Sequence, residues 1–297
     1  MRRLSILYRG PLSSCNYACS YCPFAKRRES RAQLEVDKVC LQRFVNWAQA
    51  QGQLQLQVFF TPWGEALVRR YYREAIQRLC SMDHVTKVVI QTNLSAPLGF
   101  ARHCRDKFAV WATFHPDWTS RERFLAQCQR LSSWGVRHSV GVVGFSRFRE
   151  AIAHLRSDLP ESTYLWINAV KAELPQLSQE DREFFQSVDP HYELNTQSYP
   201  SLERECGAGS RVISVDGEGV IRTCHFQPQP LGNLYDDNWQ DVLFPRRCQS
   251  QTCRCHIGYV HLDHLKLEGV FGDGLLERIP VFAGHEGNPK EAENALQ

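Results

Sequence analysis

The 297-residue sequence contains no apolar run approaching the roughly 18 residues that a membrane-crossing helix requires. The apolar stretch in "MRRLSILYRG" is also too short for the core of a secretory signal. Neither a membrane protein nor a secreted one is expected, and the chain reads as cytoplasmic. Excess charge is scarce: the formal net charge is +3, too small to point to nucleic acid or another polyanionic partner. Internal repeats and low-complexity tracts are missing. From about Gly284 the stretch "GHEGNPKEAENALQ" lacks an apolar face, which predicts a disordered tail. With 43% hydrophobic and 23% charged residues, a chain of this length can bury a sizeable core, so neither disulfides nor metal is needed merely to fold it.

Against these absences stand twelve cysteines, eight of them in two clusters over residues 15–22 and 206–255. A disulfide framework would spread them more evenly, so the clustering suggests metal in a reducing compartment. The first cluster lies in "GPLSSCNYACSYCPFAK" and holds Cys15, Cys19 and Cys22, but no fourth cysteine. Three thiolates can take three corners of a cubane iron-sulfur cluster, whereas a closed structural zinc site wants four protein ligands. The alternatives are a zinc ion that borrows His115 or Cys40, or three reduced cysteines in a loop.

Hydrophobic periodicity sets out the rest. "LSILY" reads as a strand, followed by the cysteine loop and a helix near residues 36–51 with Val36, Cys40, Phe44 and Trp47 at helical spacing. Further strands are predicted at "LQLQVFF", "VTKVVIQT", "FAVWATF", "VRHSVGVVGF" and "TYLWINAV". Helices are predicted between them at "EALVRRYYREAIQRLC", in a short piece before "FAVWATF", from a capping box of Thr119 and Glu122 to about Gly135, and from about Arg147. A last helix is capped at Ser178. Six strand-then-helix units within about 190 residues, against about 250 for a full eight-unit barrel, predict a partial (β/α)6 TIM-type barrel of the α/β class. The alternative is an open, doubly wound sheet. Beyond residue 200, "VISVDGEGVIRTC" predicts a hairpin turning at Asp216 and Gly217, the start of a small C-terminal Cys-rich β-hairpin module. The division expected is a core over 1–200, the module over 201–265, and a C-terminal segment over 266–297.

The spacing C-x3-C-x2-C after a first strand, with Tyr21 before the last cysteine, resembles the radical S-adenosylmethionine (SAM) enzymes. The resemblance implies that Cys15, Cys19 and Cys22 hold a 4Fe-4S cluster whose open iron chelates S-adenosylmethionine. Reductive cleavage there yields methionine and a 5'-deoxyadenosyl radical, while the protein contributes ligation and orientation. It also places Tyr21 near the adenine. In "TPWGEA", Gly64 and Glu65 match the centre of the family's Gly-Gly-Glu-Pro-like turn toward the SAM amino group, with Trp63 and Ala66 replacing its outer residues. Thr92 and Asn93 in "IQTNL" match a pair that faces the cofactor. Thr113, His115 and Asp117 in "ATFHPDW" are candidate ribose or substrate contacts, and no catalytic residue is assigned. Lys26, Arg27, Arg28 and Arg31 read as a solvated basic loop, with attraction of an anionic substrate group as the alternative.

Cys206 and Cys224 flank the predicted hairpin, and "PRRCQSQTCRCH" adds Cys248, Cys253 and Cys255. The pattern C-x12-G-x4-C over Cys206, Gly219 and Cys224 resembles the SPASM extension of radical SAM enzymes or its shortened twitch form, and "CQSQTCRC" departs from the usual C-x2-C ending. This implies one auxiliary 4Fe-4S cluster, with at least one of the five cysteines surplus. Tetrahedral zinc is the alternative. The remaining Cys40, Cys80, Cys104 and Cys128 read as small buried hydrophobes.

Taken together, a radical SAM enzyme is expected, reduced by an external one-electron donor such as flavodoxin or ferredoxin and abstracting hydrogen from a substrate over the barrel mouth. A peptide or protein substrate is favoured over a small molecule, although the first strand begins at Leu4 with no peptide-recognition domain before it. The alternatives are a radical SAM dehydrogenase of a small molecule and a non-enzymatic zinc module.

Overall fold

In the computed structural model, residues 1–24 and 27–281 are described; Lys26 of the basic loop and the tail expected from Gly284 lie outside them. Six parallel strands run β1 (Arg2–Arg9), β2 (Leu54–Phe60), β3 (Val85–Thr92), β4 (Phe108–Phe114), β5 (Arg137–Val143) and β6 (Leu165–Asn168). Neighbours in sequence are neighbours in the sheet, from β1 to β6. A doubly wound sheet would reverse its order at a switch point, so the unbroken order sets that alternative aside.

The intervening helices are α1 (Arg31–Gln49), α2 (Arg70–Cys80), α3 (Arg121–Ser133), α4 (Arg149–Asp158) and α5 (Gln179–Val188). Alternation along the strands explains where they lie. Leu4, Ile6, Tyr8, Val58, Phe60, Val88 and Ile90 face outward to Leu41, Phe44, Ile76, Leu79 and Phe124 of the helices. The intervening Leu7, Phe59, Val89 and Trp111 face the opposite side.

Helix α1 begins at Arg31, earlier than the periodicity predicts, because Ser30 and Gln33 form a reciprocal capping box. The box expected of Thr119 and Glu122 gives way to a simple cap one residue later, because with Ser120 as cap the third helical position is Arg123. Ser120 is the cap of α3, with its side chain accepting from the Arg123 amide. Ser178 caps α5 as expected.

After the short α6 (Tyr192–Thr196) come two-residue strands β7 (Tyr199–Pro200) and β8 (Glu205–Cys206), then the hairpin β9 (Val212–Asp216) and β10 (Val220–Arg222), and β11 (Pro230–Asn233). The hairpin turns where expected: Asp216 Oδ1 accepts from the amides of Glu218 and Val220, and Gly219 takes a left-handed φ of 85°. Strand β9 pairs in parallel with β1, so the hairpin extends the main sheet to nine strands rather than standing apart. Strand β12 (Arg246–Arg247) pairs with β8, and β13 (Thr252–Cys253) with β7.

The chain then covers the face of the sheet opposite the helices through α7 (His256–Tyr259) and α8 (Glu268–Phe271). Ile257, Tyr259, Val260, Leu267, Phe271 and Leu276 cover the inward-facing strand residues. Glu277 is fully buried and ion-paired with Lys87 of β3 at 2.9 Å and Arg137 of β5 at 2.9 Å. Among the described residues, no helix is long and apolar enough to cross a membrane.

Candidate active site

The three-cysteine loop leaves β1 over a scaffold of hydrogen bonds. Asp37 of α1, wholly buried, accepts from the Leu12 amide at 3.2 Å and from the hydroxyls of Tyr71 at 2.7 Å and Tyr72 at 3.2 Å. Burial raises its carboxyl pKa, and those three donors oppose the rise. Glu29 accepts from the Ser13 amide at 2.7 Å and the Ser14 amide at 3.3 Å, and Arg69 donates to Ser14 Oγ at 2.9 Å. Sequence reading missed Asp37 of α1, and Glu29 and Arg69 just before α1 and α2, because charged residues in and beside a helix ordinarily read as solvated.

Cys15, Cys19 and Cys22 line one wall of a cavity of about 490 Å³ together with Tyr17 and Tyr21. Burial pushes the Cys15 thiol up to about 11, and its neighbours Glu65, Cys19 and Cys22 add to the rise. Cys19 is likewise raised by burial, with Cys22 contributing. A cation would offset these effects, since bound metal favours the thiolate. His115 stands beside them, its Nδ1 3.5 Å from Cys19 Sγ and 2.8 Å from Tyr21 Oη. Burial lowers His115 to about 4 and keeps its ring neutral. Tyr21 itself packs against Phe145 and Phe148.

The turn after β2 lies directly on this loop. The Glu65 amide donates to Ser14 O at 3.0 Å, and a Cβ on Gly64 would sit 1.9 Å from that oxygen, so only glycine fits. Trp63, just before this turn, is partly exposed between Arg9, 4.0 Å from its ring, and Phe24, 4.6 Å between ring centres. Glu65 is 2% exposed. It accepts from Thr92 Oγ1 at 2.7 Å, the Asn93 amide at 2.6 Å and the Leu67 amide at 3.1 Å. Desolvation raises it to about 7 in spite of these donors. Asn93 Nδ2 points to Cys15 Sγ at 3.7 Å and donates to Asn16 Oδ1 at 3.1 Å.

All these groups follow the C-terminal ends of β1 to β4, where barrel enzymes place their reactive groups. Thr113 and His115 line the cavity, whereas Asp117 is exposed outside it with Arg147 at 3.8 Å. Arg27, Arg28 and Arg31 are exposed, as a solvated basic loop requires. A second cleft, about 820 Å³, opens beside Arg3, Ser5 and Gln57 and has no cysteine in its lining.

The five C-terminal cysteines separate. Cys206 ends β8 opposite Arg246, two residues before Cys248, while Cys253 is in β13 and Cys224 follows β10. Burial raises Cys206 to about 11 and Cys253 to about 12, and the rise includes repulsion from Cys248 and Cys224 in both cases. Cys224 is raised by burial and by Cys248. Cys255 turns instead into the central cavity, among Arg254, His256 and Arg278. Among the described residues, no three His, Cys, Asp or Glu side chains converge as a single metal ion requires. Cys104 and Cys128 are buried as expected, but Cys40, midway along α1, and Cys80, the last residue of α2, are only half-buried.

A large, mostly parallel sheet with helices packed on one face, three cysteines after its first strand and a cavity at the strand C-termini defines a class: the chain has the fold of the radical SAM enzymes. The solved structures it is similar to include the anaerobic sulfatase-maturating radical SAM enzyme anSMEcpe with bound AdoMet, at 16% identity over 87% of this chain and 83% of that one, TM-score 0.51. Another is anSMEcpe with bound AdoMet and the Kp18Cys peptide, at 15% identity over 80% of each chain, TM-score 0.51. No protein-family profile and no curated protein matches the sequence.

Proposed function

We propose that the chain is a radical SAM enzyme, with Cys15, Cys19 and Cys22 holding a 4Fe-4S cluster. The observation that carries this reading is the convergence of the three thiols, Tyr21, the Gly64–Glu65 turn and Thr92–Asn93 on one cavity at the strands' C-terminal ends. The cluster and S-adenosylmethionine supply, when bound, one-electron cleavage of a C–S bond and a 5'-deoxyadenosyl radical that abstracts hydrogen. The protein's own part is to orient. Glu65 offers an acceptor to an ammonium, Asn93 fixes the loop at Cys15, and Tyr21 stands where an adenine ring can lie against it.

Cys206, Cys224, Cys248 and Cys253 form the ligand set for one auxiliary 4Fe-4S cluster in the module over residues 201–265. A peptide remains the favoured substrate, supported by the peptide in the anSMEcpe complex. Flavodoxin or ferredoxin supplies the electron.

Anaerobic reconstitution tests the reading. About eight iron and eight sulfide per chain are expected from two four-iron clusters, with an electron spin resonance signal perturbed by S-adenosylmethionine and 5'-deoxyadenosine formed on reduction. Cys19→Ala abolishes that product, and Cys224→Ala leaves uncoupled cleavage. Stoichiometric zinc without cleavage would overturn the assignment.

A further inference from the structure

Among the described residues that line the cavity are the basic Lys171, Arg254 and Arg278, with Glu65 the single carboxylate; Lys171 Nζ also donates to the carbonyls of Asn195, at 2.7 Å, and Gln197. Both Glu65 oxygens already accept hydrogen bonds from Thr92, Asn93 and Leu67. Arg278 is 2% exposed, and its Nε has no partner. Among the described residues, its guanidinium has no ion pair or hydrogen bond. It lies only over the rings of Trp166, at 4.5 Å, and Trp111, at 5.7 Å. Glu277, the residue before it, is committed to Lys87 and Arg137 and leaves Arg278 uncompensated. The backbone keeps it there: Arg278 has a left-handed φ of 55°, with Ile279 N bound to Gly274 O at 2.9 Å.

A buried, unpaired charge is costly, and a guanidinium prefers a carboxylate or phosphate that it can meet with two parallel hydrogen bonds. We infer that the substrate of this enzyme bears an oxyanion, a carboxylate or a phosphate, which Arg278 receives at the deep end of the cavity with Lys171 and Arg254 around it. The inference rests on the radical SAM reading for the word substrate, but the anion site stands on the lining itself. The Trp166 ring lies 4.5 Å from the guanidinium carbon and helps hold it in place before an anion arrives.

Anaerobically purified full-length protein is titrated with inorganic phosphate, with succinate and with S-adenosylmethionine, against sodium chloride of equal ionic strength. Phosphate or succinate is expected to raise the melting temperature where chloride does not; the more effective of the two identifies the oxyanion. Arg278→Met should weaken that binding at least tenfold and leave S-adenosylmethionine binding within about twofold, and Arg278→Lys should restore part of it. Arg254→Gln, at an exposed side chain, should weaken it by a smaller factor and serves if Arg278→Met does not fold. No stabilisation beyond chloride overturns the inference. So does an Arg278→Met protein that loses S-adenosylmethionine but keeps the anion, since the guanidinium would then serve the cofactor's carboxylate. Anion binding without S-adenosylmethionine binding in the wild type would instead keep this site and sink the radical SAM reading.

Discussion

Two residues behind the thiols bear most of the positional demand. Because any side chain at Gly64 would enter the backbone of Ser14, Gly64→Ala must move either the turn or the cysteine loop. An iron assay after reconstitution should show at least a twofold loss, and 5'-deoxyadenosine formation should fall tenfold or more, while circular dichroism stays unchanged. Glu65 titrates with a sign that can be worked out. Its folded pKa of about 7 lies above its ordinary 4.5, so the folded state holds a proton that the unfolded state has lost. Stability contributed by the protonated carboxyl is therefore present below about pH 4.5 and lost as pH rises through about 7. Relative to Glu65→Gln, the wild type should lose on the order of 2–4 kcal/mol over that window, measured by urea melts of both proteins at several pH values. At this scale the cysteine loop was legible, because three thiols at fixed spacing have few uses. Arg278 was not, since an arginine in a surface-like stretch reveals nothing until burial strips it of partners.

The strands were legible as elements because alternation of apolar residues survives in each of them, and "LQLQVFF" shows it almost without interruption. Boundaries followed the caps rather than the periodicity. Thr119 and Ser120 are adjacent candidates of equal chemistry, and only the backbone decides that Ser120 accepts from the Arg123 amide. Ser120→Ala should cost about 1 kcal/mol and Thr119→Ala clearly less, by thermal melts of the two variants. The paired strands β7, β8, β12 and β13 span two residues each, too short for any period. Their partners lie 40 to 54 positions away in the chain, so no local pattern could announce that Cys206 comes near Cys248 while Cys255 lies apart in the cavity lining.

At the scale of the whole molecule, the segment that follows the last cysteine covers the second face of the sheet. Its fastening is the Lys87–Glu277–Arg137 group, in which Glu277 is fully buried and Lys87 nearly so. Removing Glu277 leaves the nearly buried Lys87 with only the largely exposed Asp273, 2.9 Å away, as a carboxylate partner. Glu277→Ala should destabilise the fold by about 3–5 kcal/mol, and the double variant Lys87→Met/Glu277→Leu should recover most of that, both read from urea midpoints. The sequence pattern separated this segment from the core. The parallel pairing of β9 with β1, and the insertion of residues 256–281 beneath the sheet, depend on contacts between distant positions that composition does not encode.

The Lys87–Glu277 contact spans 190 positions, and closing so long a loop delays the contacts that depend on it. The tryptophans beneath Arg278 should thus reach their final surroundings late in refolding, after the helices have formed. A chain caught before that step would possess its strands and its cysteine loop yet have no floor under the cavity, so a folding defect and a binding defect would share one cause.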